Sequence, residues 1–319
     1  METQTIAILL AIYDPCEDWL IELLDSLNAQ TYPHLKLYVR DDASPTYPLD
    51  RLKALVRERI TAFPFEILQN EKNLGSNGTF GALVQDCSEP YIAFCDQDDV
   101  WLPKKLEKTM RLFLESPLNP MLVCTNVSVM DGDGKEIAPR MEEHRKRHVF
   151  LRGEGLAPSL INRNFAMGCT MLMKREAALG CLPFPSSVVH DHYLAFCMAM
   201  QGSIDYLEEP QLRYRVYGGN QTGVMTGVAN KEDYYKRRIE TFENRVLAFS
   251  KVSDLPELRD AVAWCDARRR NFKREKGGFG ALWKRRKFNT VTSLFELFAL
   301  RLPNPLFKFA IKLIQKGVL

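Results

Sequence analysis

The chain has 319 residues, 46% hydrophobic and 26% charged, with 43 Lys and Arg against 40 Asp and Glu. These proportions are ordinary for a globular protein; they exclude a disordered, collagen-like or coiled-coil chain and leave length for one large α/β domain or two smaller ones. No apolar run nears the roughly 20 residues that span a bilayer, and Met1–Ile6 lacks the basic start and apolar stretch of a signal peptide, so the expected compartment is the cytoplasm.

Thr5–Ile12 is a continuous apolar run, the pattern of a strand buried on both faces. Asp14-Pro15 opens a helix in which Trp19, Leu20, Leu23, Leu24 and Leu27 recur at three and four residues. Leu35–Arg40 reads as a second strand, stopped by the turn chemistry of Asp41-Asp42-Ala43-Ser44-Pro45. A helix over Leu49–Ile60, a strand over Phe65–Gln69, a helix over Thr79–Cys87, a strand over Tyr91–Cys95 and a helix over Lys104–Leu114 follow. This alternation predicts a mostly parallel sheet flanked by helices. Met121–Met130 reads as a further strand, and Asp131-Gly132-Asp133-Gly134 as a tight turn. A calcium loop there fails at Lys135 and at Glu136, where a ligand and a glycine are required. Arg140–Gly155 reads as a mobile basic loop, Phe165–Lys174 as an apolar strand, and His190–Met200 as a helix. Arg213–Gly223 is a strand end entering a Gly-rich loop, and the remainder reads as helical.

The eight cysteines contain no C-x-x-C pair and read as buried free thiols of a reducing compartment. Charge is distributed unevenly. Residues 231–319 hold 21 Lys and Arg against 10 Asp and Glu, whereas residues 1–230 hold 22 against 30. An acidic body with a basic tail implies two surfaces with different partners. The expected organisation is a catalytic domain over 1–225, with halves over 1–115 and 116–225, and a helical basic region over 226–319.

The strongest chemical signal is Asp96-Gln97-Asp98-Asp99, three carboxylates at the C-terminal end of an apolar strand. Ligands of open α/β sheets bind outside those strand ends. Clustered like charges call for a hard divalent cation, Mg2+ or Mn2+, which could bridge to a diphosphate. Two more strand ends, Tyr13-Asp14 and Asp41-Asp42, would face the same crevice. Their carboxylates can accept hydrogen bonds from a base or ribose, and Tyr13 can stack on a ring. Read singly, Asp14 is better taken as a helix cap and Asp42 as a turn residue.

Taken together, Ile6–Asp14, Gln30-Thr31-Tyr32-Pro33, Val39–Ser44, Asn70–Gly75 and Asp96–Asp99 resemble, in order and spacing, the family 2 glycosyltransferases of GT-A fold. The resemblance covers roughly residues 3–223. The Asp-Gln-Asp-Asp-Val-Trp wording is most similar to the branch that builds bacterial surface polysaccharides, including many rhamnosyltransferases.

The resemblance implies roles for individual residues. Ala11 and Tyr13 would contact the nucleotide base, and Asp42 would hold a uracil or thymine ring. Lys72 and Gly75 lie in the segment that closes over the nucleotide. Asp96 would face the ribose and share the metal with Asp98, while Asp99 would steady the turn or face the donor sugar. Asp191, in His190-Asp191-His192, matches the catalytic base. A helix N-terminus favours the carboxylate ion, so burial would be needed to make it basic. The flanking histidines lack a third clustered ligand for zinc. Cys169 reads as a small buried filler. Arg215 could clamp the diphosphate, and Tyr217 stands where relatives often carry a histidine.

The implied reaction is inverting transfer of rhamnose or a hexose from a nucleotide-diphosphate donor to a glycan acceptor on a polyprenyl-diphosphate lipid. Basic residues 268–270, Lys273, Arg274, Lys276 and 284–287, interleaved with Phe279, Trp283, Phe295, Phe298, Phe307 and Phe309, would dock the enzyme on the inner membrane face. Packing on the core or a homodimer contact are the alternatives for that tail. Nucleic acid is disfavoured, because the body is acidic and no recognition motif occurs. Two other functions compete: a sugar nucleotidyltransferase, which needs a Gly-rich basic loop where Tyr13-Asp14-Pro15-Cys16 stands, and a non-catalytic membrane-peripheral nucleotide-binding scaffold.

Overall fold

Each apolar run at the N-terminus becomes an inner strand in the computed structural model, which describes residues 4–146, 148–217, 225 and 227–315. Strands β1 (Ile6–Ile12), β2 (Leu35–Asp41), β3 (Phe65–Gln69) and β4 (Tyr91–Cys95) pair in parallel in the order β3-β2-β1-β4. Helices α1 (Glu17–Asn28), α2 (Leu49–Arg59) and α3 (Gly75–Asp86) connect them. The leucine stripe of α1, Leu20, Leu23, Leu24 and Leu27, is fully buried, as its period requires. Trp19 lies outside that stripe and donates its indole N–H to Gly132 O.

The sheet then changes character. After the two-residue β5 (Val100–Trp101) and α4 (Lys105–Glu115) come β6 (Leu122–Met130), β7 (Glu136–Ala138), α5 (Met141–His144), α6 (Ala157–Asn162), β8 (Leu172–Lys174), α7 (Arg175–Leu179), α8 (His190–Gln201) and β9 (Ile204–Arg215). The order continues β4-β8-β6-β9-β5. The β4–β8, β8–β6 and β9–β5 pairs are antiparallel and the β6–β9 pair is parallel. The sheet is therefore mixed: parallel over its nucleotide-side half and interleaved over the rest.

Several expectations are corrected. The strand expected over Phe165–Lys174 forms only at Leu172–Lys174. Gly168–Thr170 instead makes a 3-10 turn, with Thr170 N and Oγ1 both donating to Met167 O and Gly168 N turned toward Asp191. The loop expected to be mobile over Arg140–Gly155 carries α5, pinned by the buried Met141 and by Asn126, which donates to Glu142, and it bridges to β9 at Gly153 and Ile204. Seven cysteines are buried as expected, but Cys16 is exposed. The Asp131–Gly134 segment is a turn. Asp131 Oδ1 accepts from Asp133 N and Lys135 N, and Gly134 takes φ +79°.

The chain divides into two compact units, Met1–Tyr217 and Gly218–Leu319. The second is helical: α9 (Lys231–Tyr234) runs through a π segment into α10 (Thr241–Phe249), followed by α11 (Pro256–Phe272), α12 (Gly278–Arg285), α13 (Thr290–Phe298) and α14 (Asn304–Gln315). Its centre is polar as well as apolar. Arg268 and Glu296, both buried, form an ion pair, and Glu296 also accepts from Tyr234 Oη at 2.9 Å. Arg268 therefore does not belong to a surface patch. Arg269 and Arg270 are also spent, on Asp266, Glu243 and Glu275. No described helix is long and apolar enough to cross a membrane.

Candidate active site

Register places the three acidic strand ends side by side. Leu10 faces Cys95 and Ile12 faces Asp41, so Ala11 lines up with Asp96 and Tyr13 with Asp42 along one sheet edge. Backbone strain marks this edge: Asp14 (φ +39°) and Ala43 (φ +56°) both sit in the left-handed region. Asp14 Oδ1 accepts from Thr46 N, Thr46 Oγ1 and Tyr47 N at 2.8–3.1 Å, which fixes the loop beyond β2. Tyr13 leaves its ring exposed, while its backbone exchanges two hydrogen bonds with the Gln97 amide. That amide locks the acidic turn onto the end of β1.

Asp42 is buried. Its Oδ1 accepts from Asn70 Nδ2 and Leu74 N at 2.7 Å each, and Oδ2 from Gly75 N at 2.9 Å. The carboxylate thus caps α3 and draws in the segment that carries Lys72 and Gly75; one lone-pair site on Oδ2 stays open. This cap starts α3 four residues before the sequence pattern does. Gly75 adopts φ +70° there, and Lys72 is exposed with no partner among the described residues.

The Asp96–Asp99 turn is electrostatically loaded. Burial, then the charges of Asp98 and Asp191, pushes Asp96 up to about 7. Burial also raises Asp98, against a hydrogen bond from the Tyr217 hydroxyl that lowers it. Asp99 is raised by burial and then by Asp98 and Asp96. Its Oδ1 accepts from Arg215 N at 3.0 Å, whereas Oδ2 is buried without a nitrogen or oxygen partner. One Asp99 oxygen thus ties the turn to the end of β9, while the other is buried within the turn.

Arg215 is likewise corrected. It is 1% exposed and donates from Nε to Asp98 O at 2.9 Å and from Nη1 to Gly132 O at 3.1 Å; Nη2 pairs with Glu22. The guanidinium also lies 4.9 Å over Trp19, whose ring meets Tyr217 at 4.7 Å. With its fork so engaged, Arg215 is a positioning residue for the acidic turn rather than a free diphosphate clamp. Lys105 is a second internal cation that the sequence reading missed. It is buried with Nζ 3.0 Å from the centroid of the Trp101 ring, and burial lowers it to about 8 although Cys95, Cys169, Asp99 and Asp96 pull it up.

Asp191 occupies the first turn of α8. Oδ2 accepts from Gly168 N at 3.1 Å, and Oδ1 accepts from His192 N. Burial outweighs these bonds and lifts its carboxyl to about 6. The start of α8 is held from afar by Asn77 on α3. Asn77 Oδ1 accepts from His190 N at 2.8 Å, and Nδ2 donates to Pro185 O and Val188 O at 2.9 and 2.6 Å. His190 packs between Phe80 and Phe94 and is pushed down to about 3 by burial, while His192 meets Leu160 O.

A divalent cation suits the donor chemistry of the turn. Asp96, Asp99 and Cys169 bring ligand atoms within 4.8 Å of one another, and Asp98 lies on the same turn. Besides burial, the Asp98 charge raises the proton affinity of Asp96 and Asp99, and Asp96 that of Asp99, which a hard cation would reverse. The thiol is soft and its proton affinity is raised well above the ordinary range by burial, so the carboxylates carry the match.

The family model described as "Glycosyl transferase family 2" matches residues 8–180. The chain belongs to that family. The match takes in Ala11, Tyr13, Asp42, Gly75, Asp96, Asp98 and Gly168, and stops before Asp191. Among curated relatives of this family 2 chain is the UDP-Glc:alpha-D-GlcNAc-diphosphoundecaprenol beta-1,3-glucosyltransferase WfgD of Escherichia coli, 25% identical over 61% of this chain and 69% of that one. The chain spans 62% of the length of another curated relative. Among solved structures, TarS of S. aureus (residues 1–349) in complex with UDP-GlcNAc aligns at 15% identity over 98% of this chain and 92% of that one, with TM-score 0.57. Mannosyltransferase PcManGT of Pyrobaculum calidifontis, in complex with GDP-Man and Mn2+, aligns at 16% identity over 98% and 86%, with TM-score 0.55. These likenesses show the GT-A fold.

Proposed function

We propose that this family 2 domain transfers a sugar, with inversion, from a nucleotide-diphosphate donor to a hydroxyl of a glycan acceptor. The observation that carries the reading is Asp191, lifted to about 6 at the start of α8 and felt electrostatically by Asp96 of the acidic turn. A carboxylate with that proton affinity is largely ionised near neutrality and still basic enough to take a hydroxyl proton. Asp191 would accept the proton as the acceptor oxygen attacks the anomeric carbon from the face opposite the leaving diphosphate. One displacement inverts that centre without a covalent sugar–enzyme intermediate.

The base and ribose would lie along the β1–β2–β4 edge, on Tyr13, Ala11, Asp42 and Asp96. Asp42 would act there mainly through the 70–75 segment it holds. Asp96 and Asp98 would hold Mn2+ or Mg2+, which when bound supplies charge stabilisation to the departing diphosphate. Arg215 and Gln97 fix the turn that presents those carboxylates. The donor is read as dTDP-rhamnose or a UDP-hexose, and the acceptor as a polyprenyl-diphosphate-linked glycan of O-antigen or capsule type, met at the inner membrane face. One relative supports the acceptor class by name: WfgD, whose name gives an alpha-D-GlcNAc-diphosphoundecaprenol acceptor. The test is a thermal-shift screen of nucleotide sugars with Mn2+ or Mg2+, followed by transfer to a GlcNAc-diphospho-lipid. Stabilisation by at least one nucleotide sugar with inverted product is expected. No stabilisation by any donor, or a product with retained configuration, overturns the reading.

A further inference from the structure

The helical unit carries a surface that its own packing does not explain. α13 buries Ser293, Glu296 and Leu297 and exposes Val291 (63%), Leu294 and Phe298 (59%), three and four residues apart. α14 buries Phe307 and Ile311 and exposes Leu306 and Phe309 (61%), with the exposed Leu302 one turn ahead. On α12, the exposed Phe279 and Trp283 stack in parallel with centroids 6.5 Å apart. Arg301, between Phe298 and Leu302 in the chain, lays its guanidinium 4.8 Å from the Phe279 centroid, which sets the α12 pair beside the segment linking α13 to α14. Each helix therefore has a satisfied inner side and an apolar outer one, an arrangement that marks an interaction surface.

Charge identifies the occupant. Between 277 and 315 stand Lys284–Lys287, Arg301, Lys308 and Lys312, all basic, and none makes an ion pair among the described residues. The single acid of that stretch, Glu296, is buried against Arg268. A second copy of the chain would bring two such cationic faces together with no acid to pair them. Exposed aromatic and aliphatic stripes edged by unpaired Lys and Arg match the boundary of an anionic bilayer, where phosphates meet the cations and acyl chains the apolar side chains.

We propose that this face of α12–α14 docks on an anionic phospholipid bilayer, with Val291, Phe298, Leu306 and Phe309 entering the headgroup–acyl boundary. The proposal deepens the lipid-linked-acceptor reading and takes its purpose from it, but its test uses no sugar. The full chain should float with phosphatidylethanolamine–phosphatidylglycerol vesicles, float poorly with phosphatidylcholine vesicles, and be released by salt. K308E/K312E should lower partitioning about tenfold or more, and F298E/F309E should abolish it with thermal stability unchanged. Should those variants misfold, the unmodified chain still decides: Trp283 emission should shift to the blue on anionic vesicles, and Trp283→Phe should remove the shift. Equal or absent flotation on the two vesicle types overturns the proposal. So does a dimer by light scattering that F298E/F309E dissociates, or an unmoved Trp283 emission. Transfer to a water-soluble acceptor, assayed separately, stays intact if docking alone is wrong and fails if the enzymatic reading is wrong.

Discussion

Asp191→Asn should make the protein more stable and the enzyme nearly dead, and the two effects share one cause. The Asp191 carboxyl rises from an ordinary 3.8 to about 6 because burial penalises its ion more than the Gly168 and His192 amides reward it. A shift of about 2 units, at 1.36 kcal/mol each, charges the folded state about 3 kcal/mol once the group ionises. The sign follows from the raised folded value. Below about pH 4 both folded and unfolded chains hold the proton and nothing is lost; as pH climbs through 6 the folded state loses that energy. Asparagine never ionises, but its single side-chain oxygen gives up one accepted hydrogen bond, at about 1 kcal/mol. The net gain is about 2 kcal/mol at pH 8, or a Tm rise of about 4–8 °C for a unit of this size, fading to a small loss at pH 4.

Paired thermal melts of parent and variant across pH 4 to 8 read this difference directly, since groups common to both cancel. Removing the Asp191 charge should also lower Asp96, which adds to the gain in the same direction. In turnover assays the parent should show an acidic limb near pH 6, and the variant should lose about 10²–10⁴ in kcat while still binding donor. A variant less stable than the parent at pH 8, a Tm difference flat with pH, or full turnover would refute the reasoning.

Other substitutions test the supporting frame. Asp98→Ala should weaken nucleotide binding only when Mn2+ or Mg2+ is present; identical titrations with and without metal would remove Asp98 from the cation site. Arg215→Ala strands Asp98 O and takes one of two donors from Gly132 O, which keeps the Trp19 indole, so urea denaturation should show a loss of about 2–3 kcal/mol. Arg215→Lys should restore little, because one ammonium cannot reproduce the fork. Asn77→Ala frees His190 N, Pro185 O and Val188 O, and should cost about 2 kcal/mol while lowering kcat more than it raises KM; an unchanged kcat would detach α3 from the placement of Asp191.

What could be read in the amino acids was whatever repeats locally or ends a strand. The buried runs that become β1, β2 and β4 state their own burial, and parallel pairing then forces their C-terminal ends onto one edge, which is why Ala11, Tyr13, Asp42 and Asp96 fall together without any knowledge of distance. What was hidden is every interaction whose partner lies far along the chain. Asp42 capping α3, Asn77 holding α8 and Arg215 bracing residue 98 link positions 32 to 117 residues apart, and no periodicity encodes them. Arg215 shows why guessing from side-chain type misleads: a guanidinium near an acidic turn serves a phosphate equally well in principle, and only its burial against Glu22, Trp19 and two carbonyls decides otherwise. Lys105 is harder still, because a lysine in the first turn of an amphipathic helix ordinarily reaches solvent. Here it is confined over the buried Trp101 ring, and its charge acts on Asp99 and Asp96. Two cations buried in the protein, Arg215 and Lys105, supply charge of opposite sign beside the turn, yet burial still leaves Asp96, Asp98 and Asp99 raised above the ordinary carboxylate range, so a divalent ion would supply the charge these internal cations do not.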